Sequence, residues 1–334
     1  MILVDFDAIK SNATYIKNTI CSKKLCAVVK SDAYGHGLVS VANAIFKVVD
    51  MFAVSTVQEG LQLLAFGKKV LVLLPGNTCD TTLAISNGLT LTVDSIDTLI
   101  RVKNCAKMLG KVASVHIKID SGMSRLGFDK NHIDELLPQL VNNYICVEGV
   151  FSHFACADGD KPFTDRQFAT FCQAASRLET SINKQLVKHI ANTAATFADA
   201  RYHLDMVRVG LGLYGYGDDR LVPAKTLLAR VVAIKHLEAN DCVGYGATFR
   251  CDRETKLAIL DVGYAAGFSK NFSNKSFVEI NGAKCRQIGN VCMGMMMVDV
   301  TGIAVSVGDI AVLFGKSTTW NKNVFMYETL CNTR

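Results

Sequence analysis

Short apolar runs rich in β-branched residues recur along the first two thirds of the chain and alternate with amphipathic segments. In those segments apolar side chains lie three or four residues apart, as at 57–67, 95–109 and 165–179, which is typical of helices with one buried face. Strands that alternate with helices predict a parallel sheet, and eight such units predict a closed (β/α)8 barrel. The eight apolar runs are 25–30, 51–55, 70–75, 89–94, 114–120, 147–154, 188–194 and 206–215.

An open, doubly wound sheet is the alternative arrangement of the same elements. That fold binds dinucleotides through a glycine-rich turn after its first strand. The turn after residues 25–30 lacks this fingerprint, so the barrel is favoured.

The pattern changes near residue 223. Short strand-like runs separated by Gly, Asn and Asp replace the alternation with helices, as in "TKLAILDVGY" (255–264) and "SFVEINGAKCRQIGN" (276–290). Several short strands with turn residues between them are typical of an antiparallel sheet. The sequence therefore predicts an α/β barrel over 1–222, followed by a mainly β domain over 223–334.

Composition narrows the class of protein. The net charge of +6 is mild for 334 residues and no basic block contains interleaved aromatics, so no nucleic-acid partner is expected. The twelve cysteines are scattered without a CxxC pair, which favours reduced thiols in a cytoplasmic protein. The N-terminus carries acids instead of a basic signal region, and no apolar run approaches the ~20 residues of a membrane span. A cytoplasmic protein without a membrane partner is predicted.

Candidate chemistry gathers where the predicted strands end, the edge at which barrel enzymes have their active sites. Lys30 ends the first run. Burying a charged amine there carries a desolvation penalty unless the amine is paired with an anion, takes part in chemistry or extends into solvent. Side chains that bind anions and move protons follow several other strands. The whole set is Lys30, Tyr34, Arg125, His153, Asn192, Thr193 and Arg208.

A lysine among other cations is expected to have a lowered pKa and to act as an amine nucleophile. Its usual product is an imine, either with a carbonyl substrate or with pyridoxal phosphate. The cofactor is favoured because "RVGLGLYGYG" (208–217) supplies glycine amides for a phosphate, and Arg208 would face the pyridine nitrogen. No metal site is expected, since the histidines, His116 among them, show no HxH or HExxH spacing.

Six motifs occur in an order that resembles bacterial alanine racemases, and the resemblance extends from "VDFDAIKSN" (4–12) to "YETL" (327–330). It implies a fold-type III enzyme that uses pyridoxal 5'-phosphate to interconvert L-alanine and D-alanine, supplying D-alanine for peptidoglycan. It also implies a head-to-tail homodimer with shared active sites. The motifs are "AVVKSDAYGHG" (27–37), "KIDSGMSRLGF" (118–128), "FSHFACAD" (151–158), "HIANTAA" (189–195), "RVGLGLYG" (208–215) and "VGYGATF" (243–249).

The resemblance assigns roles residue by residue. Lys30 would hold the cofactor covalently and act as one base, and Tyr245 of the partner subunit would be the other base. Arg208 would hydrogen-bond the pyridine nitrogen, with His153 in the surrounding polar network and Asn192 also beside the cofactor. The phosphate would be held by Tyr34, Thr193, Tyr327 and the amides of Gly210 and Leu211. Arg125 and Met293 would approach the substrate carboxylate.

Physical chemistry agrees with these roles. Racemisation needs a base on each face of a planar carbanion, and one residue cannot stand on both faces. Lys30 and Tyr245 meet that need if nearby cations lower the tyrosine pKa from about 10. Because the pKa of arginine is above about 12, Arg208 would leave the ring nitrogen unprotonated, which weakens the electron sink and discourages transamination.

Strand alternation over "HIKID" (116–120) sends His116, Lys118 and Asp120 to the barrel interior. An unpaired ammonium there is costly. In the family that the chain resembles, the lysine at this position can be carbamylated, and the resulting anion would position Arg125. The alternative is an unmodified Lys118 paired with Asp120 or another carboxylate.

The chain departs from the family pattern at several positions. Val209 replaces a proline, Ala266 and Gly294 replace acids near the expected substrate entrance, and the arginine-rich ending is missing. A broader racemase acting on serine or another small amino acid therefore stays open. A non-catalytic cofactor carrier and a decarboxylase fit less well, since "VGYGATF" and the β domain resemble the racemases better. A metal-dependent barrel hydrolase lacks the histidine spacing.

Overall fold

The computed structural model describes residues 1–129, 132–140 and 143–315. The chain divides into two compact units. The barrel unit consists of Phe6–Ala33 and Gly37–Val222. The β unit consists of Met1–Asp5, Tyr34–His36 and the chain from Pro223 onward.

Strands and helices alternate through the barrel unit, and short strands dominate the β unit. The strands are β1 (Ile2–Val4), β2 (Lys24–Val28), β3 (Met51–Val54), β4 (Lys69–Val72), β5 (Thr90–Val93), β6 (Ala113–Lys118), β7 (Ile145–Phe151), β8 (Val187–His189), β9 (Met206–Val209), β10 (Lys225–Leu237), β11 (Cys242–Val243), β12 (Phe249–Arg250), β13 (Thr255–Leu260), β14 (Phe277–Ile280), β15 (Ala283–Ile288), β16 (Met296–Asp299) and β17 (Ile310–Phe314). The helices are α1 (Phe6–Thr19), α2 (Lys30–Gly35), α3 (Leu38–Ile45), α4 (Val57–Leu61), α5 (Thr78–Ser86), α6 (Ile96–Leu109), α7 (Ile133–Leu140), α8 (Lys161–Ile182) and α9 (Thr193–Ala198).

Eight parallel strands form the core of the barrel unit. Their order in the sheet is β8-β7-β6-β5-β4-β3-β2-β9, so neighbours in the chain are mostly neighbours in the sheet. The Arg208 N–H in β9 donates to the Ala191 carbonyl, just after β8, at 2.9 Å. This bond links the two ends of the sheet order and closes the barrel.

Local sequence explains where the outer helices begin and end. Ser95 caps α6 by accepting the Thr98 N–H, and Gly110 ends that helix in the left-handed conformation that glycine adopts without strain. The helix predicted over 57–67 is divided into α4 and a 3-10 turn at Leu64–Phe66. Gly67, at φ 64°, ends that turn.

The β unit is built around one antiparallel sheet. Its strand order is β1-β10-β13-β16-β15-β14-β17, and β10 pairs with β17 as well, so six of the strands form a closed ring. The 13-residue β10 makes this possible because its two ends pair with different strands. A separate apolar cluster beneath the β11–β12 hairpin includes Val243, Leu257, Ile288 and Met297.

The predicted fold class, a (β/α)8 barrel followed by a mainly β domain, is confirmed. Among the described residues, no helix combines the length and apolar character needed to cross a membrane.

Candidate active site

Polar side chains meet at the carboxyl ends of the barrel strands. Lys30 follows β2, His153 follows β7, Lys118 and His189 end β6 and β8, and Arg208 lies in β9. Burial holds the pKa of His153 well below its usual value, and nearby cations lower it further. Those cations are Arg208, Lys118, Arg125 and Lys30. The barrel therefore brings the sequence-predicted residues Lys30, Lys118, His153 and Arg208 into one basic site, together with His189.

Arg208 is buried and uses both terminal nitrogens as donors. Its Nη1 donates to the Nδ1 and the carbonyl of His189, each at 2.9 Å. Its Nη2 donates to the Ser152 carbonyl at 2.6 Å and to His153 Nδ1 at 3.1 Å. Within the described residues the Nε–H has no acceptor. One charged donor is thus left for a ligand. Burial lowers the pKa of Arg208 to about 10, so the group stays positive at neutral pH.

Two histidines continue the hydrogen bonds of Arg208 into the barrel. Because arginine only donates, His189 Nδ1 must accept, so the proton of a neutral His189 lies on Nε2. That nitrogen is 2.8 Å from His116 Nδ1, to which it donates. Burial lowers the pKa of His116 to about 4 and that of His189 well below its usual value, which keeps both rings neutral.

Neither of these histidines has a site role predicted from the sequence. Alternation placed His116 on the same strand face as Lys118, and this was the signal available. A second signal is Gly149 in β7, where a Cβ atom would lie 2.8 Å from the His116 ring. Only glycine leaves room for the imidazole at that position.

Lys118 is buried against the ring of Phe151. Its Nζ lies 4.9 Å from the ring centroid, and the Arg208 guanidinium lies 5.1 Å from the same centroid. Burial, then the charges of Arg208 and Arg125, lower the pKa of Lys118 to about 8. No ion pair joins Lys118 to a carboxylate in the part of the chain that is described.

Asp120 organises the loop that carries Arg125 and does not pair with Lys118. Its Oδ1 accepts three consecutive backbone N–H groups, those of Gly122, Met123 and Ser124. The loop closes where the Phe128 N–H donates to the Lys118 carbonyl at 2.9 Å. Arg125 itself is exposed, and its positive charge acts on Lys118, His153 and Arg208.

The short segment α2, which begins at Lys30, is a left-handed turn and not an ordinary right-handed helix. Ser31, Asp32, Ala33 and Tyr34 have φ between 53° and 56°. Each non-glycine residue in that conformation costs about 1–2 kcal/mol, and such strain persists only where surrounding structure holds it. The strand end that carries Lys30 is therefore followed by a strained turn.

Thr193 and the segment after β9 form a second part of the site. Thr193 Oγ1 accepts the Gly212 N–H at 3.1 Å, and a Cβ atom at Gly217 would lie 2.7 Å from the Thr193 methyl. The amides of Gly210 and Leu211 contact no acceptor among the described residues. Two backbone donors at a strand end are thus available for an anion.

Asn192 is accounted for as a helix cap. Its Oδ1 accepts the Ala195 N–H at 3.0 Å and begins α9. Its role beside a cofactor stays a prediction.

The β unit carries Tyr245 and Met293 as exposed side chains, with 74% and 61% of their surfaces accessible. Tyr245 follows β11, and its carbonyl accepts from Asn290 Nδ2 at 2.7 Å. A cavity of about 370 Å³ beside Tyr245 is lined by Lys235, Leu237, Cys242, Leu257, Cys292 and Met297.

Two other predicted site residues are tyrosines. Tyr34 belongs to the β unit and is buried. Tyr327 lies outside the described residues.

Family models for the N-terminal and C-terminal domains of alanine racemase match residues 4–218 and 224–333. Alanine racemase 2 of Oceanobacillus iheyensis is 39% identical over 329 residues, covering 94% of this chain and 84% of that relative. The alanine racemase of Methanococcus maripaludis is 36% identical over 95% of this chain and 89% of its own length.

Solved structures of alanine racemases have a similar fold. An alanine racemase of Clostridium difficile 630 has a TM-score of 0.89 and 33% identity, and the match covers 100% of this chain and 93% of that chain. The Bartonella henselae alanine racemase, solved with covalently bound pyridoxal phosphate, has a TM-score of 0.89 at 26% identity, covering 100% of this chain and 96% of that one.

In (β/α)8 barrels, a site at the carboxyl ends of the strands is typical of an enzyme. The fold and the position of the basic site therefore define this protein as a barrel enzyme. The chain belongs to the alanine racemase family. It is an isomerase that interconverts the enantiomers of alanine, which confirms the family and the activity predicted from the motifs.

Proposed function

We propose that this alanine racemase binds pyridoxal 5'-phosphate on Lys30 and completes its active site with a second copy of the chain. The observation that supports cofactor binding best is the Nε–H of Arg208. A buried guanidinium whose other four N–H groups have protein acceptors leaves one donor, and a pyridine nitrogen is a matching acceptor.

The donors after β9 fit the other end of the cofactor. The amides of Gly210 and Leu211 and the hydroxyl of Thr193 would hold its phosphate, and Tyr34, Asn192 and Tyr327 are proposed beside it. When bound, the cofactor supplies an electron sink for the carbanion formed at Cα. Because Arg208 remains charged while its histidine partners are neutral, it would donate to the ring nitrogen without giving up its proton.

Two bases are needed, and the barrel unit supplies Lys30. We assign the second to Tyr245, which the β unit presents on a largely exposed turn. In a dimer with two-fold symmetry, each chain would contribute its Tyr245 to the active site of the other chain, so both sites would be complete. Arg125 and Met293 are assigned to the substrate carboxylate.

Lys118 is proposed to be carbamylated. Its lowered pKa makes the neutral amine accessible near neutral pH. That amine attacks CO2, an N–C bond forms, and a proton leaves to solvent, so a buried cation becomes an anion. The carbamate would remove the electrostatic repulsion between the Lys118 ammonium and the positive charges of Arg208 and Arg125.

A cytoplasmic location is proposed from the cysteines. All eleven cysteines of the described residues are free thiols, as expected in a reducing compartment. D-Alanine for peptidoglycan would be the product used by the cell.

The test is spectroscopic. Protein supplemented with pyridoxal phosphate should show the visible absorption band of a lysine-bound cofactor, and borohydride should fix the cofactor to the peptide that contains Lys30. Lys30→Ala protein should fold, lack the band and lose racemase activity. Near-normal turnover by that variant without added amines, or borohydride labelling of another lysine, would refute the assignment.

A further inference from the structure

The carboxylate of Glu59, in the first turn of α4, connects two strand ends of the barrel. Its Oε1 accepts the backbone N–H groups of Ser31, at 2.6 Å, and Asp32, at 3.3 Å. Its Oε2 accepts those of Ser55, at 2.9 Å, and Thr56, at 3.2 Å. One side chain thus satisfies four backbone donors.

The first pair of donors belongs to the left-handed turn that follows Lys30. Ser31 and Asp32 each have φ 54°, a left-handed conformation that is strained for any residue other than glycine. Hydrogen bonds from a charged acceptor are the stronger kind, so Glu59 offsets part of that strain. Asp32 Oδ1 fixes the far side of the turn by accepting the Leu38 N–H at 2.7 Å.

The second pair of donors fixes Glu59 itself. Ser55 and Thr56 follow β3, and Thr56 Oγ1 accepts the Glu59 N–H in a reciprocal capping box. The carboxylate is therefore held by the neighbouring strand end and by the start of α4. The turn is thus anchored to the end of β3 and the start of α4, and Lys30 directly precedes the anchored residues Ser31 and Asp32.

We infer that Glu59 is a positioning residue for Lys30, which sets the angle at which the lysine amine meets the substrate Cα. The inference rests on the proposed role of Lys30 as a base. Glu59 reaches the chemistry only through the backbone of Ser31 and Asp32. Misplacement of a reacting group by about 1 Å can lower a rate about 100-fold, so loss of this anchor should be visible in catalysis.

The decisive variant is Glu59→Gln. A glutamine keeps one acceptor oxygen and replaces the other with an NH2 group, which would face two N–H donors, so one pair of hydrogen bonds must be lost. Glu59→Asp keeps both oxygens on a shorter side chain. We expect kcat to fall about 10-fold or more in Glu59→Gln with KM changed less than about 3-fold, and to recover partly in Glu59→Asp.

Isotope effects separate positioning from general destabilisation. One enantiomer gives its Cα proton to Lys30 and the other gives it to Tyr245. If only the Lys30 step slows, the Cα-deuterium effect on kcat/KM rises for the first enantiomer and falls for the second. General destabilisation of the protein would lower both rates. It would leave unchanged the ratio of the two isotope effects, one for each enantiomer.

Asp50→Asn is the matched control. Asp50 Oδ2 accepts the Leu25 N–H at 2.7 Å, so it anchors the opposite end of the same strand, away from Lys30. This variant should lose thermal stability yet keep the wild-type isotope effects. If Glu59→Gln and Glu59→Asp both keep the wild-type ratio, Glu59 does not position Lys30.

Failure of the proposed function gives a different result. In that case the wild-type protein itself lacks the lysine-bound cofactor band. If Glu59→Gln does not fold, Glu59→Asp decides alone: a shifted isotope-effect ratio supports the inference and an unshifted one overturns it.

Discussion

Arg208 Nη1 lies 2.9 Å from His189 Nδ1 in the barrel interior. Since the guanidinium can only donate, this contact fixes the tautomer of His189 and, through it, that of His116. Replacing the donor by a carboxylate would reverse the direction of the hydrogen bonds.

Arg208→Glu should place a proton on the pyridine nitrogen of the bound cofactor and strengthen the electron sink. We expect lower racemase activity, more transamination and a new long-wavelength absorption band with alanine. Rapid-scanning spectroscopy with L-alanine checks this. An unchanged spectrum together with unchanged transamination would mean that Arg208 has a structural role.

Gly149→Ala should disturb the histidine pair without touching a ligand. The added methyl would lie 2.8 Å from the His116 ring, and overpacking of this kind usually costs about 1–3 kcal/mol. Gly294→Ala is the control, because a Cβ atom there meets nothing within 4 Å. Urea unfolding of both variants should show a loss for Gly149→Ala alone, and equal stabilities would contradict the packing argument.

Lys118 should make stability depend on pH and on CO2. Burial and neighbouring cations lower its folded-state pKa to about 8 from 10.5, so between these values the unfolded chain binds more protons and CO2-free protein becomes more stable as pH rises. Bicarbonate at pH near 8 should raise Tm through carbamylation, and carbon-13-labelled bicarbonate should give a carbamate signal. Lys118→Met should lose both effects, and a wild-type Tm indifferent to bicarbonate counts against carbamylation.

Tyr245→Phe should keep the cofactor and lose racemisation by about 10²- to 10⁴-fold, the usual worth of a general base. Lys30 would still serve one face, so deuterium from solvent should enter one enantiomer of alanine at Cα. Proton NMR of each enantiomer measures this. Exchange of both at the wild-type rate is incompatible with two bases.

Mixing two inactive chains should restore activity if Tyr245 acts across a dimer. A heterodimer of Lys30→Ala and Tyr245→Phe would contain one site with both defects and one with neither, as two-fold symmetry requires. Up to about half of its sites should work after the chains are refolded together. Proven heterodimers without activity would place both bases in one chain.

Alternation of apolar runs with amphipathic segments was enough to predict the eight barrel strands, because side-chain period reports directly which face of an element is buried. The motifs likewise led to the family. Lys30, Lys118, His153 and Arg208 lie at or just after strand ends of the barrel unit, since a closed parallel barrel brings all its carboxyl ends to one rim.

Other features depend on contacts between residues far apart in the chain. His116 and His189 are 73 residues apart, and neither shows a local spacing that would mark a hydrogen-bonded pair. The left-handed turn at 31–34 could not be predicted either, because no glycine at these positions indicates a positive φ.

The sequence by itself determined the order of the barrel strands, the change to a β unit and the polar residue types that follow the strands, since these depend on local periodicity and residue type. Only the tertiary structure decided that Asp120 organises a loop instead of pairing with Lys118, that Arg208 keeps one donor for a ligand, and that Glu59 ties the turn after Lys30 to β3. Hydrogen-bond partners are selected by distance and direction in the folded chain, and a linear pattern of residues carries neither.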